Sequence, residues 1–139
     1  MAEQENSSKV TVLVFTLNEV ENLPSVLPGI PTSVDEVVII DGHSSDGTVE
    51  LAQRLLPDAR IILQPGSGKG NALKDGVEQA TGDIVVTLDA DGETDPHDIP
   101  RFVEAILDGN DFAKGSRLSS RRPARMPFYR WFGNKVLAI

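Results

Sequence analysis

Two aspartates and a glutamate stand at alternate positions in Thr87-Leu88-Asp89-Ala90-Asp91-Gly92-Glu93, the stretch that follows the apolar run 84–86. Such a run reads as a buried strand. A strand end that delivers three carboxylates into one small volume concentrates negative charge, which is costly unless a cation sits there. Carboxylate oxygens suit hard divalent ions, magnesium or manganese. A lone D-x-D also fits a solvated acidic loop, so the elements around it must decide.

Those elements alternate. Residues 10–15 (VTVLVF) form a continuous apolar, β-branched run, the pattern of a strand covered on both faces. A polar turn, 16–19, leads to a short helical pattern with Val20, Leu23, Val26 and Leu27 on one side and Pro24 in its first turn. Residues 37–40 are a second buried strand that ends at Asp41, and 42–47 are rich in turn formers. A helix is expected over 48–56, stopped by Pro57, then a short strand over 60–63. A helix over 71–80 should turn Leu73, Val77 and Ala80 inward, and the strand 84–88 follows. Asp98 is placed to cap the next helix, whose apolar positions are Ile99, Phe102, Val103, Ile106 and Leu107. Residues 111–114 read as a fifth short strand.

Strand–helix alternation with all-apolar strands implies an α/β fold, an open, mainly parallel sheet with helices on both faces. Ligands of such sheets bind outside the carboxyl ends of the strands. Asn18, Glu19, Asp41, Asp89 and Asp91 all fall at those ends. That convergence favours a metal over a solvated loop, since scattered surface acids would not gather at one sheet edge.

Two nucleotide motifs are excluded. Gly68-Lys69 resembles the end of a phosphate-binding P-loop, but Leu63 stands where its first glycine belongs and Gly70 where it requires Ser or Thr. A dinucleotide fingerprint starting at Gly66 fails at Asn71 and follows the wrong strand. Three glycines around Lys69 still allow backbone amides and one cation to approach a phosphate, and a flexible glycine turn with a solvated lysine fits them equally.

The chain has 139 residues, enough for one domain with a real core, and no cysteine, which removes disulfides and thiolate metal sites. The polar start, 1–9, is no signal peptide and is expected to be disordered. No apolar run is long enough to span a membrane. Residues 1–112 hold all 21 acids, whereas 113–139 hold seven bases and no acid. The acidic body argues against nucleic-acid binding. In the basic end, Arg117, Arg121, Arg122, Arg125, Arg130 and Lys135 stand beside Phe128, Tyr129, Trp131 and Phe132. Cations among aromatic rings suit an anionic membrane interface, and equally the packing surface of a further half-domain.

Five segments in order, FTLNEVENL, VVIIDGHSSDGT, GSGKGNAL, ATGDIVVTLDADGETDPHDIP and KGSRL, resemble family 2 glycosyltransferases with the A-type, Rossmann-like nucleotide-sugar fold. Within that family the chain resembles the polyprenyl-phosphate (dolichyl-phosphate) mannose and glucose synthases. The resemblance implies a donor such as GDP-mannose or a UDP-hexose, a Mg2+ or Mn2+ cofactor and a polyprenyl-phosphate acceptor. It places Phe15, Leu17, Glu19, Asp41, Lys69, Asp89, Ala90, Asp91 and Arg117 at the nucleotide sugar, with Asp41 on the base. Asp89, Asp91 and Glu93 would hold the metal, and Asp91 and Arg117 would serve the chemistry.

The sequence departs from the family pattern at Phe15 and Leu17, where proline and tyrosine are usual, and at Gly42 and His43, where aspartate and glycine are. His43 is expected to be a turn residue facing water. The expected organisation is a nucleotide-sugar-binding domain over 10–116, then a basic, aromatic loop and the start of a helix over 117–139. The family normally continues beyond this point, so an N-terminal part of a longer enzyme is expected. Its expected location is cytoplasmic, peripheral at the cytoplasmic face of a membrane. A sugar-nucleotide pyrophosphorylase and a non-catalytic binding or oligomerisation module are the competing readings. Pyrophosphorylases usually have a glycine-rich loop after the first strand, and FTLNE is not one.

Overall fold

The computed structural model describes residues 7–115. Four strands, β1 (Val10–Thr16), β2 (Glu36–Asp41), β3 (Arg60–Leu63) and β4 (Ile84–Asp89), form one sheet in the order β3-β2-β1-β4. Every pairing is parallel. The chain runs outward from β1 to β3 and then returns to the other side of β1, so the strand order reverses between β1 and β4. Ligands of open α/β sheets bind at such a switch point.

Helices cover both faces, as the all-apolar strands require. On one face, α1 (Leu23–Val26), α2 (Thr48–Leu55) and α4 (Ile99–Leu107) supply Leu23, Val26, Ala52 and Ile99 to a core with Val12, Val14, Ile39 and Leu88. On the other, α3 (Lys69–Gln79) brings Ala72 against Leu13, Val38 and Ile40. Successive strand side chains point to opposite faces, so Val12 and Val14 serve one core and Leu13 the other.

Four expectations change. The inward face of α3 is Ala72 and Gly76, not Leu73 and Val77, which are 42% and 50% exposed. The helix lies too close to the sheet for larger residues: a Cβ at Gly76 would stand 2.9 Å from both Ile40 Cδ1 and Leu13 Cδ1. Residues 111–114 are not a strand. They line the far side of a cavity of about 550 Å3 beside β4, and that gap replaces the ladder they would have formed. Asp98 makes no side-chain cap at α4. Asp95 caps the preceding 3-10 turn, Pro96–Asp98, by accepting the His97 N–H at 2.9 Å. Lys9, expected in a disordered leader, is tied to the sheet. Its N–H donates to Asp83 Oδ2 at 2.9 Å and its carbonyl accepts from the Ile84 N–H at 3.0 Å.

Among the described residues no helix is long and apolar enough to cross a membrane.

Candidate functional site

Strand register assembles the site. Thr16 at the end of β1 pairs with Asp41 at the end of β2, and Phe15 pairs with Asp89 at the end of β4. Asp41 in turn pairs with Leu63 at the end of β3. Parallel strands of matched length therefore bring Asp41 and Asp89 to one edge, on either side of β1.

Asp41 has no exposed surface. Its Oδ1 accepts from the Thr16 hydroxyl at 2.8 Å and the Ser44 hydroxyl at 2.6 Å, and its Oδ2 accepts from the Ser44 N–H at 2.8 Å. Three of about four lone-pair positions on the carboxylate are thereby used. The sequence expectation set this carboxylate against a base. Here it faces its own loop, because Ser44 offers two donors three residues away.

The loops after β1 and β2 are laced together. The Asn18 N–H donates to Ser44 Oγ at 2.8 Å, and Asn18 Oδ1 accepts from the Ser45 N–H at 2.9 Å. The N–H groups of Glu19 and Val20 donate to Thr48 Oγ1 and Asp46 Oδ2. Asn18 holds a left-handed backbone, φ 54°, a conformation asparagine tolerates better than most residues. The Asp46 carboxyl lies below its ordinary range, first through the Thr48 hydroxyl and then through backbone N–H groups, which outweigh desolvation. The Glu19 carboxylate accepts from Asn22 Nδ2 at 2.7 Å.

A third loop joins through Gln64, which is 5% exposed. Its N–H donates to the Asp41 carbonyl at 2.8 Å, and its side-chain amide donates to the Gly68 carbonyl at 2.8 Å. His43 is an exposed turn residue with φ 67°, as expected, and its Nε2–H also donates to the Gln64 carbonyl at 2.7 Å. The glycine loop is therefore held across its base, and Lys69 opens α3 directly after Gly68. Lys69 Nζ reaches Asp89 Oδ2 at 2.6 Å, linking the start of α3 to the end of β4.

The remaining expected residues separate. Leu17 is 58% exposed at the sheet edge, and its Cδ1 would lie 3.5 Å from a Cβ at Gly42. Phe15 packs against the core on the α3 side. The Ala90 side chain is buried in the opposite core and its N–H donates to the Phe15 carbonyl, so both are committed to the fold. Asp91 Oδ1 accepts the Glu93 N–H at 2.9 Å, closing a turn in which Gly92 has φ 76°. Glu93 then lines the cavity beside β4, together with Thr87, Asp98 and Phe102. Consequently Asp89, Asp91 and Glu93 do not close into a cage. Among the described residues no three His, Cys, Asp or Glu side chains gather to hold an ion. Arg117 and the basic, aromatic end lie outside the described residues.

Thr16, Ser44, Asp46, Thr48 and Gln64 were not singled out by sequence reasoning. The S-S-D-G-T run carries the signal for three of these residues, Ser44, Asp46 and Thr48, since Asp, Ser and Thr bond nearby backbone in turns. Gln64 carries none beyond its place after a strand.

A profile of the family described as "Glycosyl transferase family 2" matches residues 11–129. The chain belongs to glycosyl transferase family 2. An uncharacterized glycosyltransferase of Mycobacterium bovis is 39% identical over 108 residues, 78% of this chain and 48% of that one. The dolichol-phosphate mannosyltransferase of Pyrococcus furiosus is 37% identical over 130 residues, 88% of this chain and 37% of that one. This family 2 chain thus spans half or less of the length of these relatives. Among solved structures, glucosyl-3-phosphoglycerate synthase from Mycobacterium tuberculosis, in complex with Mn2+, UDP-glucose and phosphoglyceric acid, has a TM-score of 0.61 at 27% identity. The match covers 74% of this chain and 40% of that one. The same enzyme has also been crystallised with Mg2+ and UDP.

Proposed function

We propose that this chain is the nucleotide-sugar-binding part of a divalent-metal-dependent glycosyltransferase whose acceptor is a polyprenyl phosphate. The observation that carries the reading is the meeting of Lys69 with Asp89 at the switch point of a parallel sheet, 2.6 Å apart, beside two interlaced loops. The solved neighbour that holds Mn2+ and UDP-glucose supports the donor class, and the name of the Pyrococcus relative supports the acceptor class.

The residues fit a divalent ion of a particular kind. Mg2+ and Mn2+ sites on nucleotides use one or two carboxylates and take their remaining ligands from phosphate and water. Asp89 and Asp91, two residues apart at the end of β4, supply that number, and an open site needs no third protein carboxylate. When bound, the ion neutralises charge on the departing nucleoside diphosphate. Lys69, at the start of α3, reaches Asp89 itself, and a helix start with a cation beside it favours phosphate. Leu17, exposed beside Gly42, offers an apolar surface to a base, and the loop fixed by Asp41 sets its position. Arg117 is proposed to add a second cation at the diphosphate.

With a polyprenyl phosphate as acceptor, its anionic oxygen attacks the anomeric carbon. The carbon–oxygen bond to the nucleoside diphosphate breaks, and the electron pair leaves with the diphosphate. No side-chain base is required, which fits a site where Asp41, Asp89 and Asp91 are engaged by N–H, hydroxyl and ammonium donors. The basic, aromatic end is proposed to meet the anionic membrane surface where such an acceptor resides.

A thermal-shift panel tests the donor class. GDP, UDP, GDP-mannose and UDP-glucose are compared with Mn2+ and with a chelator. At least one should stabilise the chain with Mn2+ and clearly less without it. No shift from any of them, with or without Mn2+, would refute the reading.

A further inference from the structure

Asp89 is expected to face a divalent ion, yet a cation of the chain's own already touches it. Lys69 Nζ stands 2.6 Å from Asp89 Oδ2, a close charge-assisted hydrogen bond. The Lys69 side chain is 66% exposed and that of Asp89 25%, so the pair lies at the mouth of the site rather than in the core. Lys69 is flanked by Gly68 and Gly70, and a Cβ at either would meet nothing within 4 Å. The four-carbon stem therefore has room to swing.

We propose that Lys69 is a resident counter-cation that holds the metal-facing carboxylate of Asp89 and is exchanged for the divalent ion when a diphosphate arrives. This rests on the metal-dependent reading above. An ion entering alone must displace the ammonium from Asp89 and then sit beside it, dication against cation. A diphosphate removes that conflict by accepting the displaced ammonium while it supplies oxygens to the ion. An exposed ion pair contributes little stability, so the exchange costs little. Metal and diphosphate affinities are then linked through Lys69, and the linkage is reciprocal. The carboxylate also remains neutralised between turnovers, which limits the repulsion between Asp89 and Asp91.

Titration of Mn2+ alone into the 139-residue chain tests this, with free ion followed by its paramagnetic resonance signal. Lys69→Met keeps the stem and removes the charge. It should bind Mn2+ about three- to tenfold more tightly than the parent, the size expected for removing one exposed cation next to the ion. Lys69→Arg should stay close to the parent. Added UDP or GDP should raise Mn2+ affinity more in the parent than in Lys69→Met. Unchanged or weaker Mn2+ binding by Lys69→Met overturns the exchange and leaves the metal site standing. Mn2+ binding absent from both proteins, with and without nucleotide, overturns the metal-dependent reading and the exchange with it.

Discussion

Replacing Asp41 by alanine should loosen the whole site before it changes any single ligand contact. The carboxylate is fully buried and accepts three hydrogen bonds, from Thr16 at 2.8 Å and from Ser44 at 2.6 and 2.8 Å. Hydrogen bonds to charged groups contribute about 1.5–3 kcal/mol each. The three do not add in full, because removing the carboxylate also removes its desolvation cost and the half-exposed Ser44 can turn to water. Thr16 is 4% exposed and its hydroxyl would lose its acceptor. A net loss of about 2–4 kcal/mol follows, or roughly 6–15 °C in Tm for a domain of this size. Asp41→Asn keeps the shape and one oxygen and should lose about half as much. Urea denaturation and thermal melting followed by circular dichroism measure both. If Asp41→Ala melts within about 1 °C of the parent yet loses nucleotide binding, the carboxylate reads the base directly and the loop-fixing role is refuted.

Two further outcomes follow from the charges. Burial alone would raise the Glu36 carboxyl, but the Thr81 N–H, the Thr11 and Thr81 hydroxyls and the Arg60 guanidinium hold it below its usual 4.5. A carboxyl lowered by folding stabilises the native state above its unfolded value, and that contribution is lost as pH falls through the folded value. Stability should therefore decline below about pH 4.5, and Glu36→Gln should flatten that decline in urea titrations across pH; an unchanged slope would mean that Glu36 is not held. At the other end of the chain, changing Arg121, Arg122 and Arg125 to serine should reduce flotation with anionic vesicles, at about 1 kcal/mol for each cation near the surface. Nucleotide binding should survive, and equal recovery with neutral vesicles would point to a packing surface instead.

The sheet was readable because each strand centres on a short, mostly apolar stretch set off by polar residues and turn formers, the pattern expected of strands covered on both faces. The face of α3 was misread because Leu73 and Val77 have helical spacing and greater apolarity than Ala72 and Gly76. The distance between helix and sheet selects small residues there, and no periodicity in one sequence encodes that distance. The strand expected over 111–114 failed for a related reason. Its residues suit a strand, but pairing depends on how closely the chain leaving α4 approaches β4.

At the site, the positions of Asp41, Asp89 and Asp91 were legible because strand ends in a parallel sheet share one edge. Their partners were not. Asp41 turns inward because of Ser44 and Thr16, and Lys69 meets Asp89 across a separation of 20 residues. Such pairings depend on side-chain direction, which spacing along a strand end does not fix.

The carboxylates at the end of β4 are proposed to bind a nucleoside diphosphate through a divalent ion. Titration calorimetry of UDP and GDP into the parent and Asp91→Asn, each with Mn2+ and with a chelator, tests it most directly. The parent should bind one of the two at least about tenfold more tightly with Mn2+, a difference near 1.4 kcal/mol, and Asp91→Asn should lose that gain while melting within a few degrees of the parent. Equal affinity with Mn2+ and chelator in the parent, or an undiminished Mn2+ gain in Asp91→Asn, would contradict it.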